Sequence, residues 1–69
     1  MVEIFKTNVS DGVQAGLVLR LLEEQWPQYM ANFDLEDCDR ILRIESDSVD
    51  HEKILSLMHL QGYLCEVLN

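Results

Sequence analysis

The sequence predicts an α+β domain of four strands and two helices in the order β-α-β-β-α-β, folded as a two-layer sandwich. Four short segments are rich in β-branched and aromatic residues or alternate between apolar and polar side chains, as strands do. Two other segments repeat apolar residues at helical spacing and follow residues that commonly cap helices. The connections are short, so the 69 residues are predicted to form one domain, residues 1–69, around one core.

The first strand is predicted over residues 2–8 and leads into the first helix. Its register stays open, because Ile4 and Phe5 cannot both face the core unless the strand contains a bulge. Either Ser10 or Asp11 can cap the helix, since each offers a side-chain oxygen to the unpaired backbone N–H groups of the first turn.

The first helix is predicted to be apolar around most of its circumference. It should end at about Gln25, because the residue before Pro27 disfavours helical backbone. Its predicted core stripe is Ala15, Val18, Leu19 and Leu22. A second set of apolar residues, here called the outer stripe, is Val13, Leu17 and Leu21. The outer stripe is either the margin of a wide core face or a surface for a protein partner or self-association.

A hairpin, a second helix and a final strand complete the chain. The predicted spans are residues 29–35 and 40–45 for the hairpin strands, 51–61 for the helix and 63–68 for the last strand. Asp50 should cap the second helix and Gly62 should end it with positive φ. The predicted core between helices and sheet is Val18, Leu22, Phe33, Leu42, Ile54 and Leu57.

This order of elements predicts a ferredoxin-like sandwich. Right-handed crossovers give a four-stranded antiparallel sheet of order 4-1-3-2 with both helices on one face. The topology brings three connections to one end of the domain, so Asp11, the hairpin turn at residues 36–39 and Gly62 should be neighbours. A local site is therefore expected at this end.

The composition narrows the classes of function. Thirteen acidic and five basic residues give a net charge of −8, which disfavours nucleic acid and anionic membranes and attracts a basic partner or a cation. No apolar run reaches the ~18 residues of a membrane span, and the first residues do not resemble a signal peptide. Cys38 and Cys65 lack CxxC spacing, so free thiols and a cytoplasmic location are expected.

Several stretches resemble the heavy-metal-associated domain family, the small copper-chaperone-like modules. They are residues 5–9, Val18 with Leu22, residues 49–54 and residues 61–68, so the resemblance covers nearly the whole chain. The family's signature is CxxC in the loop before the first helix, where two thiolates bind Cu(I) or Zn(II). Aligned on residues 5–9, those cysteines fall on Asp11 and Gln14, so the resemblance implies the fold and the loop but no metal ligand there.

Two hypotheses of function follow, and neither is enzymatic, since no catalytic constellation or cofactor motif is present. The first is a protein-interaction module that has lost its thiolate metal site. The second is a metal-handling protein with a substitute site for a weakly bound divalent or monovalent ion, formed by Asp11, Asp37, Cys38 and Asp39. The alternative interpretation is that this acidic turn is a solvated loop without a metal ion, because aspartates are common in turns, where their side chains hydrogen-bond to the backbone. Cys65 is predicted to face the core.

Overall fold

A computed structural model, which describes residues 1–68, confirms the ferredoxin-like fold. Its antiparallel sheet has the order β2-β3-β1-β4, which is the predicted order read from the other edge. The elements are β1 (Val2–Thr7), α1 (Gly12–Gln25), β2 (Met30–Asp34), β3 (Ile41–Glu45), α2 (His51–Leu60) and β4 (Cys65–Val67). β4 is shorter than predicted, although the N–H of Leu68 still donates to the carbonyl of Ile4 over 2.9 Å.

Both helices begin and end where the local sequence indicates. Asp11 is the N-cap of α1, and its carboxylate accepts a hydrogen bond from the N–H of Gln14. Asp50 does the same for α2 through the N–H of Lys53. After α2, Gly62 has φ of 90°, a conformation that glycine adopts without steric penalty.

The pairing of β1 with β3 settles the register of the first strand. Phe5 pairs with Leu42, and Ile4 pairs with Arg43, in a continuous ladder without an extra residue. Because paired residues share a face, Phe5 points into the core, where it is fully buried. Ile4 lies on the opposite face, so no bulge is needed.

The core lies between the helices and one face of the sheet. Its buried members are Phe5, Val9, Ala15, Val18, Leu22, Leu42, Ile44, Ile54, Met58 and Cys65. The predictions for Phe33 and Leu57 are wrong in degree, since both are only half-buried and pack at its margin. Phe33 lies on the edge strand β2, and Met58 rather than Leu57 takes the buried position on α2.

Candidate functional site

Three connections meet at one end of the domain, as the topology predicts. The N–H of Thr7 donates to the carbonyl of Asp39, and the Thr7 hydroxyl donates to the carbonyl of Arg40 over 2.6 Å. The side chain of Asn8 accepts a hydrogen bond from the N–H of Leu64, which follows α2. Hydrogen bonds therefore join the end of β1 to both the hairpin turn and the α2–β4 junction.

The two positions where the resemblance places cysteines hold a helix-capping pair. Asp11 Oδ1 accepts from the N–H of Gln14 over 2.9 Å. In return, Gln14 Oε1 accepts from both the N–H and the hydroxyl of Ser10, each at 2.9 Å. This is a capping box in which the glutamine reaches the residue before the cap. The side-chain oxygens at these two positions thus stabilise the start of α1.

The acidic turn forms a compact group. Single ligand atoms of Asp37, Cys38 and Asp39 lie within 4.8 Å of one another, and Asp11 does not belong to this group. Asp37 Oδ1 already accepts from the N–H of Asp39 over 2.8 Å. Asp39 Oδ1 lies 3.6 Å from Lys6 Nζ. Part of the acceptor capacity of the group is therefore used to hold the turn and to bind a neighbouring cation of the protein itself.

The two cysteines lie in different environments. Cys38 is an exposed free thiol in the turn, whereas Cys65 is buried in the core, as predicted from the alternation of the last strand. Burial, together with the charge of Glu66, raises the pKa of the Cys65 thiol to about 11. Cys65 therefore stays protonated at neutral pH and behaves as a small apolar core residue.

The outer stripe is surface rather than core over most of its length. Val13 is 76% exposed and Leu17 is 57% exposed, while Leu21 is half-buried. Apolar side chains that lie together in water favour an interaction surface over a margin of the core. The exposures thus place Val13 and Leu17 on the surface and Leu21 at the margin of the core.

Two residues of the outer stripe, Leu17 and Leu21, lie on the side of α1 that faces α2. The other flank of α1, with Leu19 and Glu23, borders a cleft beside Ala31 of the edge strand β2. Leu17 and Leu21 are on the opposite flank of the same helix, because each residue advances about 100° around its axis. With both helices on one face of the sheet, this flank is turned toward α2.

The other side of an open groove, which we refer to as its α2 bank, is formed by residues of α2. Leu57 and Leu60 line a shallow cavity of about 390 Å³ together with Trp26, which directly follows α1. Leu60 is 82% exposed. We call the space between this side of α2 and the flank of α1 that carries Leu17 and Leu21 the interhelical groove; the cavity itself is bordered on the α1 side by Trp26. Its acidic end is formed by Asp50 and Glu52, with Lys53 beside them.

Sequence reasoning missed the α2 bank of the groove. It placed Leu57 in the core and did not consider Leu60, although the two leucines are three residues apart and so share one side of α2. That spacing, beside a core stripe already occupied by Ile54 and Met58, was the available signal.

Within residues 1–68, no helix combines the length and the apolar character needed to cross a membrane. Comparison of the chain with protein-family models, curated proteins and solved structures gives no match.

Proposed function

We propose that this protein is a non-enzymatic interaction domain, a heavy-metal-associated-like fold without the thiolate site, which binds a protein partner through the interhelical groove. The exposure of Leu17 and Leu60 on the two banks of that groove is the observation that carries the proposal. Complete burial of a leucine side chain contributes roughly 1.5–3 kcal/mol, and a partner that covers the exposed parts of these two side chains would recover a corresponding fraction.

The loop supports the same interpretation. In the family that the chain resembles, this loop offers two thiolates to a soft metal ion. Here the corresponding residues are Asp11 and Gln14, and a side-chain oxygen of each accepts a hydrogen bond from a backbone N–H group at the start of α1. The scaffold of the loop is thus maintained by capping, and delivery of a metal ion by the family's usual route has no ligands at these positions.

The charge and the shape of the groove favour one kind of partner. Two helices side by side present a channel that suits a third helix, which places apolar residues along one face at spacings of three and four. The net charge of −8 and the acidic end at Asp50 and Glu52 favour a helix that also carries lysine or arginine. Nucleic acid and anionic membranes are poor partners for the same reason.

A titration with a synthetic amphipathic helix of leucine and lysine tests this proposal. The readout is the backbone amide shift of each residue in an NMR spectrum, with a peptide of the same composition in scrambled order as the control. We expect shifts along α1 and α2 around Leu17, Leu21, Leu57 and Leu60, and at least tenfold weaker binding by Leu17→Glu and Leu60→Glu.

Leu64→Glu is the matched control variant. Leu64 is 71% exposed, but it lies at the α2–β4 junction and is not part of the groove. It receives the same added charge, so it should bind the helix peptide like the parent. Equal binding of the scrambled peptide would show that charge alone drives the association, and equal weakening by Leu64→Glu would show that the effect is not specific to the groove. Either result would contradict the proposal.

A second candidate function is the binding of a divalent cation by the acidic turn. The closeness of the ligand atoms of Asp37, Cys38 and Asp39, within 4.8 Å, favours it. Its test is calorimetry with Zn(II) on the parent, Cys38→Ser and Asp37→Asn. A stoichiometric complex that both variants weaken would support this function, and a parent that retains no Zn(II) after dialysis would remove it.

A further inference from the structure

The face of the sheet opposite the helices is exposed in part. Strand alternation and pairing place four apolar strand residues on this outer face: Val2, Ile4, Met30 and Ile41. Met30 is 71% exposed and Val2 is 45% exposed, whereas Ile4 is half-buried and Ile41 is only 9% exposed. This surface lies on the other side of the sheet from the interhelical groove, so it is a separate feature of the domain.

Charge is distributed unevenly between the outer face and the rest of the molecule. The charged strand residues on the outer face are Lys6, Asp34, Arg43, Glu45 and Glu66. Two of the five basic and three of the thirteen acidic residues are thus found here, so this face carries a net charge of −1 and the remainder carries −7. Two copies of so acidic a chain would meet with least repulsion through this face.

Two neighbouring positions on this face have opposite charges. Arg43 and Glu45 are exposed on the central strand β3, and neither forms an ion pair within residues 1–68. They belong to consecutive rows of the ladder: Arg43 lies beside Ile4, and Glu45 lies between Val2 and Met30. A two-fold axis can lie in the plane of the interface, between these two rows, and run across the strands. Rotation about it places each row opposite the other row of the second copy, so the face is complementary to itself.

We propose that the outer face of the sheet is a self-association surface on which a second copy of the chain docks about that axis. Each Arg43 then lies opposite Glu45 of the other copy, and each Val2 lies opposite Ile4 of the other copy. The two helix layers stay on the outside of the dimer. Most of the negative charge is therefore separated by more than the Debye length of ~8 Å at physiological salt.

The surface is small, which limits the strength of this association. Because the axis lies near one end of the strands, only the rows of Arg43 and Glu45 overlap between the copies. Four strands spaced about 4.8 Å apart, over about four residues at about 3.3 Å per residue, give an overlap of roughly 19 by 13 Å. This is about a third of the ~800 Å² that each partner contributes to a stable interface. We expect a weak dimer, with a dissociation constant between about 10 μM and 1 mM.

Sedimentation velocity on the 69-residue chain, from about 10 μM to 1 mM, tests the proposal with a charge exchange. Arg43→Glu and Glu45→Arg should each weaken the dimer about tenfold or more, because like charges then face each other across the axis. The double variant restores both pairs and should dimerise within about threefold of the parent. Arg20→Glu and Glu24→Arg, which change exposed charges on α1 in the same way, are the matched controls. Circular dichroism melts confirm that each variant is folded.

Glu45→Arg is the decisive variant. It makes the chain less negative, so repulsion between net charges alone predicts a tighter dimer, whereas the proposed contact predicts a weaker one. A tighter Glu45→Arg dimer, a double variant that stays monomeric, equal effects of the α1 controls, or a parent that is monomeric at about 1 mM would each overturn the proposal.

Discussion

Replacing the capping pair by cysteines should convert the loop before α1 into a Cu(I) site. The change is Asp11→Cys with Gln14→Cys in a Cys38→Ser background, so that the exposed thiol of the turn cannot contribute. The two new thiols stand at the N-cap and the third helical position, and residues three apart at the start of a helix lie on the same side of it. Two thiolates at this spacing match the preference of Cu(I) for soft ligands.

The structure also predicts what the substitution costs in the absence of metal. Loss of the Asp11 cap should lower the free energy of unfolding by ~0.5–2 kcal/mol. Loss of the two hydrogen bonds from Ser10 to Gln14 removes a further contribution of about 1 kcal/mol, since these exposed bonds are individually weak. The apo double variant should thus be ~1.5–3 kcal/mol less stable than the parent. Free Cu(I) at 100 times the dissociation constant should restore about 2.7 kcal/mol.

Urea unfolding of the apo and Cu(I)-loaded proteins measures both quantities, and competition with a Cu(I) chelator gives the affinity. The single variants Asp11→Cys and Gln14→Cys are the controls, because each loses the capping interaction without gaining a pair of thiolates. The reasoning would be refuted by a folded double variant that binds Cu(I) no more tightly than the single variants. It would also be refuted by an apo double variant as stable as the parent.

Three further predictions concern the core, the groove and the buried thiol. Leu22→Ala should cost ~2–5 kcal/mol in urea unfolding, whereas Phe33→Ala should cost less than Leu22→Ala, because Phe33 is only half-buried. Leu17→Glu should change the stability by less than ~1 kcal/mol, and a loss of several kcal/mol would show that the outer stripe is core. The folded state raises the Cys65 pKa from 9.0 to about 11, so the unfolded thiol ionises first and stability should fall as pH rises from 9 to 11. Below pH 9 this contribution should be constant. Urea unfolding at several pH values, with Cys65→Ala as the reference, measures this dependence.

The elements of the fold could be predicted because their signals are local. Asp50 and Gly62 mark the two ends of α2 through side chain and backbone preference, and each does so in the structure. For α1 the sequence left Ser10 and Asp11 as candidate caps, and the structure selects Asp11. The alternation of the last strand placed Cys65 in the core, where it lies. Short connections and the handedness of crossovers then left few arrangements of six elements, so the sheet order followed.

The parts that could not be predicted depend on packing between distant elements. Ile4 and Phe5 are equally apolar, and only the pairing of β1 with β3 decides which of them faces the helices. Leu57 and Met58 are adjacent on α2, and the position of α2 over the sheet selects Met58 for the core. Exposure of a leucine on a helix depends on what lies opposite, which is why the α2 bank of the groove was missed.

The candidate site was predicted in part. The sequence indicated the end of the domain where the connections meet and the absence of thiolates at Asp11 and Gln14. It did not indicate that these two residues form a reciprocal capping pair with Ser10, because that depends on side-chain orientation. Nor did it separate Asp11 from the acidic turn, which forms a group without it.

Equilibrium dialysis of the parent protein against Cu(I), Zn(II) and Ni(II), read by metal analysis, tests most directly the claim that this domain works by contact rather than by metal transfer. Reducing conditions keep Cys38 and Cys65 as thiols, so that every possible ligand is present. The account predicts no metal retained beyond a protein-free control for any of the three ions. One equivalent of Cu(I) that survives competition with a strong chelator would contradict it.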